Sequence, residues 1–510
     1  MNAYLVLDKK LTRQDIQLKK LSQYLHQHPQ WCQKRLELAQ LLYSRGRWLQ
    51  AIDEYRRVLE LQPQLLEARL QLANILHQLG RESEAIEIYL GTLPLSPNIA
   101  TLRQVTGWIE ACRRRPQIAL KKFESAASLE PDKATHWHAL GQVYLEKESP
   151  LEALQAFDTL LAMNPNDIVA LRNSYAPLLT VGNFREGLRR LRQALRLAPN
   201  DFLSLQRMID HRCQQRLVDG KQGHHTKKLI QTVLQLAPDN ADAYHSLALY
   251  HLVRGEWSRG VAVIEQFVRL HPENFRSWYH YAQCLYQTGN AKAAAEAILQ
   301  AYTSYHNHPD IYLALCEIFP DAGRLNHLEP LVEEMLLRFP ECWNVWVSAG
   351  QLLVESFQDP ERGCSVSAKG PQLQPQLADA WFRHGRVLAL AGRHKEALIA
   401  LEQGWQRLPS QGGYLSSVPA AIWLGESYQA LEDYSSSQHW WTQAAQRAPK
   451  LRQFNPAIAD YWQGKALEAL GDVTGAQQAY QSAINQQLLH PINGKVKLAL
   501  VRVSNRRLTA

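Results

Sequence analysis

The sequence has no apolar run of membrane length. Nowhere among its 510 residues do about 18 apolar side chains follow one another, so it offers no spanning helix. It has no CxxC pair either. The seven cysteines (32, 112, 213, 284, 316, 342 and 364) stand singly. An odd, scattered set argues against a disulfide framework and leads to the expectation of reduced thiols in a cytoplasmic protein. GxxxxGK[ST] loops, a GxGxxG turn after a strand and a GxSxG elbow are absent, which removes the nucleotide and hydrolase chemistries those motifs carry. The opening MNAYLVLDKKLTRQD puts a short apolar run before Lys9 and Lys10, the reverse of a secretory leader. With 46% hydrophobic and 20% charged residues the composition is that of a folded chain, not a disordered one.

A continuous basic stripe is also missing. The formal net charge is +8, but residues 1–50 hold nine Lys/Arg against three acids and residues 451–510 hold seven against three. The interior, 51–450, carries 40 basic and 42 acidic side chains. A protein tracking a nucleic-acid backbone along its length would be basic throughout. Nucleic acid is therefore disfavoured as a partner, and a membrane is expected to be met only peripherally.

What the sequence does have is a period. Prolines 29, 63, 97, 131, 165 and 199 are spaced by 34 residues, followed by prolines 238, 272, 340, 375, 409, 449 and 491, with His306 at the one skipped position. A small residue keeps the same step at Ala51, Ala85, Ala119, Ala153 and Gly187, and an aromatic follows four later at Tyr55, Tyr89, Phe123 and Phe157. The clearest copy, residues 134–167, is too short to bury a core by itself and must lean on its neighbours.

This pattern resembles the tetratricopeptide repeat. Trp137, Leu140, Gly141 and Tyr144 match that family's first helix, and Ala153, Phe157 and Pro165 match its second helix and end. Single positions depart, as at Arg103 where a bulky apolar residue is usual, but the period does not. The resemblance implies an all-α, right-handed superhelical solenoid of about thirteen helix-turn-helix repeats, with the first helix (A) of each repeat lining the concave side. The physics agrees. Apolar residues at 3–4 spacing give each helix one buried face, small residues let helices A and B approach, and each proline ends a unit.

The expected organisation is an N-terminal segment and capping helix over 1–29, then repeats one to six over 30–216. A loop insertion is expected in repeat six at 217–226, the remaining repeats over 227–491, and a C-terminal capping helix and tail over 492–510. In repeat ten, Gly370 and Pro371 should fray the last helical turn. Repeat twelve should follow an insertion at 410–419. Repeats fill nearly the whole chain, so no enzyme activity and no cofactor or metal are expected. His211, Cys213, His224 and His225 fit no zinc spacing, and His306-Asn307-His308 falls at a repeat junction where polar residues are ordinary. Arg113-Arg114-Arg115 and the arginines 189, 190, 192 and 196 read as solvated convex residues before they read as an acidic-partner site.

In the resembled family, positions 2, 5, 9 and 12 of helix A face the ligand. Those positions give Gln40, Asn74, His77, His138, Gln142 and Arg172, then His245, Tyr279, Gln283, Tyr286, Arg386, Glu426, Tyr461 and Lys465, with Arg383 adjacent. Amides and tyrosines suit a peptide backbone. Such residues could also pack between repeats. The carboxylate clamp of chaperone-binding members is absent: Leu36, Gln40, Gln71, Thr101 and Val105 stand at its positions, so a chaperone C-terminal tail is disfavoured. The expected function is a scaffold or adaptor that holds an extended peptide or helix of a protein partner, with no small-molecule substrate. An accessory subunit that recruits a separately encoded transferase is the first alternative, and a factor using its basic termini on RNA or an anionic membrane surface is the second.

Overall fold

The computed structural model describes residues 13–409 and 413–509. Residues 1–12 of the expected N-terminal segment, 410–412 of the expected repeat-twelve insertion, and Ala510 lie outside them. Among the described residues all regular structure is helical, and thirteen helix pairs follow the sequence period. After a leading helix, Arg13–Gln27, repeats one to four pair Cys32–Ser44 with Trp48–Leu61, Leu66–Gln78 with Glu82–Thr92, Ile99–Cys112 with Pro116–Leu129, and Ala134–Glu146 with Pro150–Met163. Repeat five breaks its helix A at Ser174, giving Ile168–Asn173 and Tyr175–Thr180 before Phe184–Leu197. Pro177 cannot donate to Asn173, which accounts for the break.

Repeats six to nine pair Phe202–Gln214 with Gly220–Leu236, Ala241–Val253 with Trp257–Leu270, Phe275–Gln287 with Ala291–Ser304, and Pro309–Asp321 with Leu328–Arg338. Repeat ten pairs Trp343–Glu355 with Pro360–Ser367 and Lys369–Leu373, and repeat eleven pairs Ala378–Leu390 with His394–Gln406. Repeats twelve and thirteen pair Tyr414–Ala430 with Tyr434–Arg447 and Pro456–Ala469 with Val473–Asn485, ahead of a last helix, Ile492–Thr509.

The recurring markers do what their sizes suggest. Ala51, Ala85, Ala119 and Ala153 are fully buried. A Cβ on Gly141 would stand 2.5 Å from the Phe157 ring, so glycine is what lets helices A and B of repeat four meet. The prolines act through their carbonyls as well as their rings. The indole N–H groups of Trp137, Trp278, Trp346 and Trp381 donate to the carbonyls of Pro131, Pro272, Pro340 and Pro375 at 2.8–2.9 Å. Arg35 and Arg69 make the same bond to Pro29 and Pro63 through Nε. Each such latch satisfies a carbonyl that the end of helix B leaves open.

A second period appears in the turn between helices A and B. Gly46, Gly80, Arg114, Glu148, Gly182 and Arg216, 34 residues apart in sequence, all have positive φ. These turns carry the long-range architecture. The Gly46 turn sits on the Phe202 ring, with Arg47 Nε donating to the Leu236 carbonyl (2.7 Å) and Asn240 Nδ2 to that of Gly46 (2.9 Å). The Gly80 turn faces Tyr305, while Arg276 donates to the Gln78 carbonyl at 2.9 Å. Further along, Gln117 bonds Glu341 (2.8 Å), Gln374 bonds Ser149 (2.6 Å), and the Gly413 amide reaches the Gly182 carbonyl (3.4 Å). Arg216 then donates to the Gln487 carbonyl at 3.2 Å. The solenoid therefore coils so that turns of repeats one to seven rest on junctions roughly six repeats further on, forming a continuous seam.

Four expectations change. The repeat-six insertion is largely helical: only 217–219 remain a turn, and helix B starts at Gly220, one turn early. Gly223 lies within this helix and must be small, because a Cβ there would stand 2.1 Å from the Val218 carbonyl oxygen. In repeat ten the break falls at Ala368, since Pro371 cannot donate to Ser367; the last turn stays helical, and the Gln374 amide donates to the Gly370 carbonyl at 3.0 Å. In repeat twelve the described part of the insertion lengthens helix A, which begins at Tyr414. Finally, Arg114 is no solvated convex residue. It pairs with Glu82 of the preceding repeat (2.7 Å) and crosses the seam to the Tyr305 hydroxyl (2.9 Å).

The seam is testable with two alanines. Gly46 and Gly289 both have positive φ, but a Cβ on Gly46 meets Phe202 at 2.6 Å whereas one on Gly289 meets nothing within 4 Å. Gly289→Ala should cost about 1 kcal/mol from backbone strain. Gly46→Ala should cost a further 1–3 kcal/mol or so from overpacking, and should increase the radius of gyration by small-angle scattering. Equal urea midpoints for the two variants would mean that the seam contributes nothing.

Candidate functional site

Because the seam joins early repeats to later ones, the concave face of the first nine repeats becomes the wall of a half-open channel. A cavity of about 1,040 Å³ runs through it, lined from Tyr43 in repeat one to Ile311 in repeat nine. A smaller cavity of about 250 Å³ adjoins it, and Tyr279 and Asp310 belong to both walls. The far side of the smaller cavity is formed by His490 and Pro491, at the end of repeat thirteen.

The structure divides the residues expected in the groove into two groups. Asn74, His77, His138, Gln142, Arg172 and Tyr279 line the large cavity, and Tyr279, Gln283 and Tyr286 line the small one. Gln40, His245, Arg383, Arg386, Glu426, Tyr461 and Lys465 line neither.

Many of these polar groups already bond within the chain. Gln40 reaches Glu67 (2.8 Å), His138 reaches Asp167 (3.0 Å) and Arg172 bonds Asp201 (2.9 and 3.1 Å), in each case linking helix A to the first turn of the next repeat. Asn74 accepts from Tyr89 (3.1 Å), and Gln283 donates to Tyr279 (2.8 Å). Tyr286 donates to Asp321 (2.8 Å), which also bonds His490 (3.0 Å). In the last repeats Glu426 lies between Arg386 (2.9 Å) and Lys465 (3.7 Å). Arg383 donates to Asn344 and Ser348, and its guanidinium lies over Trp343.

The electrostatics follow from these pairs. His77 and Glu146 meet at 3.3 Å across repeats two and four, and Cys112 lies 3.4 Å from the other imidazole nitrogen. Burial alone would lower the His77 pKa, but the Glu146 carboxylate and Cys112 outweigh it and carry it up to about 10. Glu146 correspondingly stays below the usual carboxylate range, because the imidazolium offsets its burial. His245 stacks on His280 with centroids 4.1 Å apart, and burial together with that neighbour pushes it down to about 3, so it is neutral.

Several wall residues have no sequence signal. Arg207, Asp210, Asp242, Arg276 and His280 line the cavity. The 34-residue step from His138 to Arg172 indicates the ladder position, but not its carboxylate partners. His211 and Cys213 are buried while His224 and His225 are exposed on helix B of repeat six, so the four do not converge. Arg189 and Arg190 pair with Glu186 (2.6 and 2.8 Å), and Arg190 also with Asp158 (2.7 Å).

The raised His77 pKa carries a sign. Its stabilisation is fully present below the ordinary imidazole value and is lost as pH rises toward 10. Thermal stability of the wild type relative to His77→Gln should therefore be level up to about pH 6.5 and fall steadily above it. A difference that does not change between pH 6 and 10 would show that His77 is neutral throughout.

Family models for the tetratricopeptide repeat match residues 36–98, 111–168, 245–309 and 459–487. A search of curated proteins found no match. Among solved structures, yeast Tom70 is 10% identical with a TM-score of 0.39, covering 80% of this chain and 96% of that one. The tetramer Cut9-Hcn1 gives 13% identity and a TM-score of 0.39, covering 96% and 94%. YrrB, a TPR protein with an unusual peptide-binding site, gives 19% and 0.23, covering 38% and 98%. The four matched segments show that this chain contains tetratricopeptide repeats, and thirteen helix pairs follow the same period among the described residues.

Proposed function

We propose that the chain is a non-catalytic scaffold that holds an extended segment of a protein partner in its half-open channel. The observation that carries this reading is the cavity itself, a continuous wall to which nine successive repeats contribute, mostly through helix A. An extended segment suits that wall better than a helix does. A helix pairs its own backbone groups, whereas an extended chain offers them to the side-chain amides of the wall. Gln71 and Gln206 line the cavity, and their amides bond to nothing among the described residues. With contacts spread over many repeats, affinity would be a sum of modest terms.

Tyr279→Ala/Gln283→Ala is a suitable probe, because the main hydrogen bond of these two side chains is to each other (2.8 Å) and the one other bond lost is the long contact of Gln283 Oε1 with His280 Nδ1 (3.4 Å). Leu337→Ala, on an 83% exposed convex residue, is the control. A protein captured from native extract by the wild type and by Leu337→Ala, in the presence of RNase, should be lost with the double variant. Capture that survives the double variant would overturn the channel reading, and capture abolished by RNase would move the site to the basic termini.

A further inference from the structure

The charges on the channel wall do not balance. Asp201 is neutralised by Arg172 (2.9 Å), Asp242 by His280 (2.8 Å) and Arg276 (3.7 Å), and Glu146 by His77 (3.3 Å). Arg114 is committed to Glu82 at 2.7 Å. Three carboxylates are left over. Asp210 makes no ion pair, and its Oδ1 is covered yet accepts no hydrogen bond from any described residue. Asp310, shared by both cavities, has the His308 imidazole 3.7 Å away, but burial holds that histidine below its ordinary pKa, so it supplies no cation at neutral pH. Glu317, on the smaller cavity, makes no ion pair either. The one leftover cation is Arg207, which donates to the Arg172 carbonyl and to Asn173 Oδ1 (3.2 Å) but to no carboxylate.

An unpaired carboxylate in such a place is costly in its charged form. Burial, and then the charge of Asp242, push Asp210 up to about 7 even though Arg207 pulls it down. The other titratable groups facing it are Tyr175 and Cys213. Arg207 offsets Asp210 only in part, as Lys495 and His490 do Glu317, and none of them forms an ion pair with these carboxylates; a ligand cation would supply the rest.

We propose that the channel selects extended partner segments bearing lysine or arginine side chains, with Asp210 as the main contact and Asp310 and Glu317 serving the mouth near His490. This rests on the channel reading above and gives it a sign. Phosphates would meet the same three carboxylates and be repelled, so the channel itself is closed to nucleic acid.

The test uses fluorescein-labelled, end-blocked nonapeptides of alternating serine and lysine, or of serine and glutamate, titrated into the full chain. The lysine peptide should bind and the glutamate peptide should not. Asp210→Asn keeps the shape of the neutral side chain and should weaken the lysine peptide about tenfold or more, the loss of a charge-assisted contact; Asp310→Asn should weaken it less. Because the cation needs the ionised form, affinity for the wild type should rise about tenfold from pH 6 to pH 8 and stay level in Asp210→Asn. Equal binding of both peptides, or lysine binding indifferent to Asp210→Asn and to pH, would overturn the proposal. If neither peptide binds while Tyr279→Ala/Gln283→Ala still loses its captured partner, the charge assignment fails and the scaffold reading stands. If that double variant keeps the partner, the scaffold reading itself fails.

Discussion

One left-handed residue per repeat sets the geometry on which the rest of this molecule depends. A tight turn between antiparallel helices needs positive φ at one position, and glycine adopts it freely. In Gly289, Gly323, Gly392 and Gly471 that is all glycine does, since the space beside them is open. In Gly46, Gly80, Gly182 and Gly255 the turn also meets a later part of the chain at distances where a Cβ would clash. At Arg114, Glu148 and Arg216 the position is held by side chains that adopt positive φ reluctantly. Two of these reach across the seam: Arg114 to Tyr305, and Arg216 to the carbonyls of Val253 and Gln487. Glu148 lies among Cys342, Asn344 and Arg383, from repeats ten and eleven. At Arg114 and Arg216 a strained turn of about 1–2 kcal/mol comes with a side-chain bond that glycine could not make, whereas Gln358 and Glu432 hold the same φ without one among the described residues.

Closure has an electrostatic consequence. An open solenoid can leave its concave side chains in water, each satisfied by solvent. Once the seam half-encloses that face, a polar group it covers must find a partner or bear the cost of burial. The rungs linking His138 to Asp167 and Arg172 to Asp201 are the outcome, each tying helix A to the first turn of the next repeat, as Gln40 and Glu67 do at an exposed position outside the cavity. These rungs fix the angle between neighbouring repeats, which in turn sets where the seam falls. The same enclosure makes an unpaired group conspicuous, and it gives Asp210 a meaning that a lone carboxylate on an exposed helix would lack.

How much of this was legible in the sequence depended on distance along the chain. Features internal to one repeat were plain: the helix pairs, the small residue at each crossing, the aromatic packed against it. Trp137 was legible as an apolar marker but not as a donor to the Pro131 carbonyl. Its equivalents Arg35 and Arg69 share with it only an N–H at the right reach. The helix-A positions found Asn74, His138, Gln142 and Arg172 on the channel wall because they depend only on helical phase. Position gave no warning that Arg383, Arg386, Glu426 and Lys465 lie away from both cavities, because which stretch of groove becomes enclosed is set by contacts some 190 residues apart, such as Arg47 with Leu236 and Arg114 with Tyr305. The repeat-six loop was misread for a different reason. Glycines within 217–226 suggest a loop, whereas Gly223 lies in helix B and is small because the Val218 carbonyl lies against it.

The same length scale decides how the net charge should be used. The formal charge of +8 comes from the two ends of the sequence, while the channel wall holds more carboxylates than cations to match them. At physiological ionic strength, charges separated by more than about 8 Å of solvent are largely screened. A ligand inside the channel therefore responds to Asp210 and Asp310, and to Glu317 as offset by Lys495 and His490, before it responds to the other lysines and arginines of the termini. Those terminal cations act on whatever approaches the ends of the solenoid from outside. A basic isoelectric point and a preference for basic segments are compatible in one molecule where Asp210, the main proposed contact, is offset by Arg207 and not by a terminal cation; only at Glu317 does a C-terminal lysine, Lys495, come near.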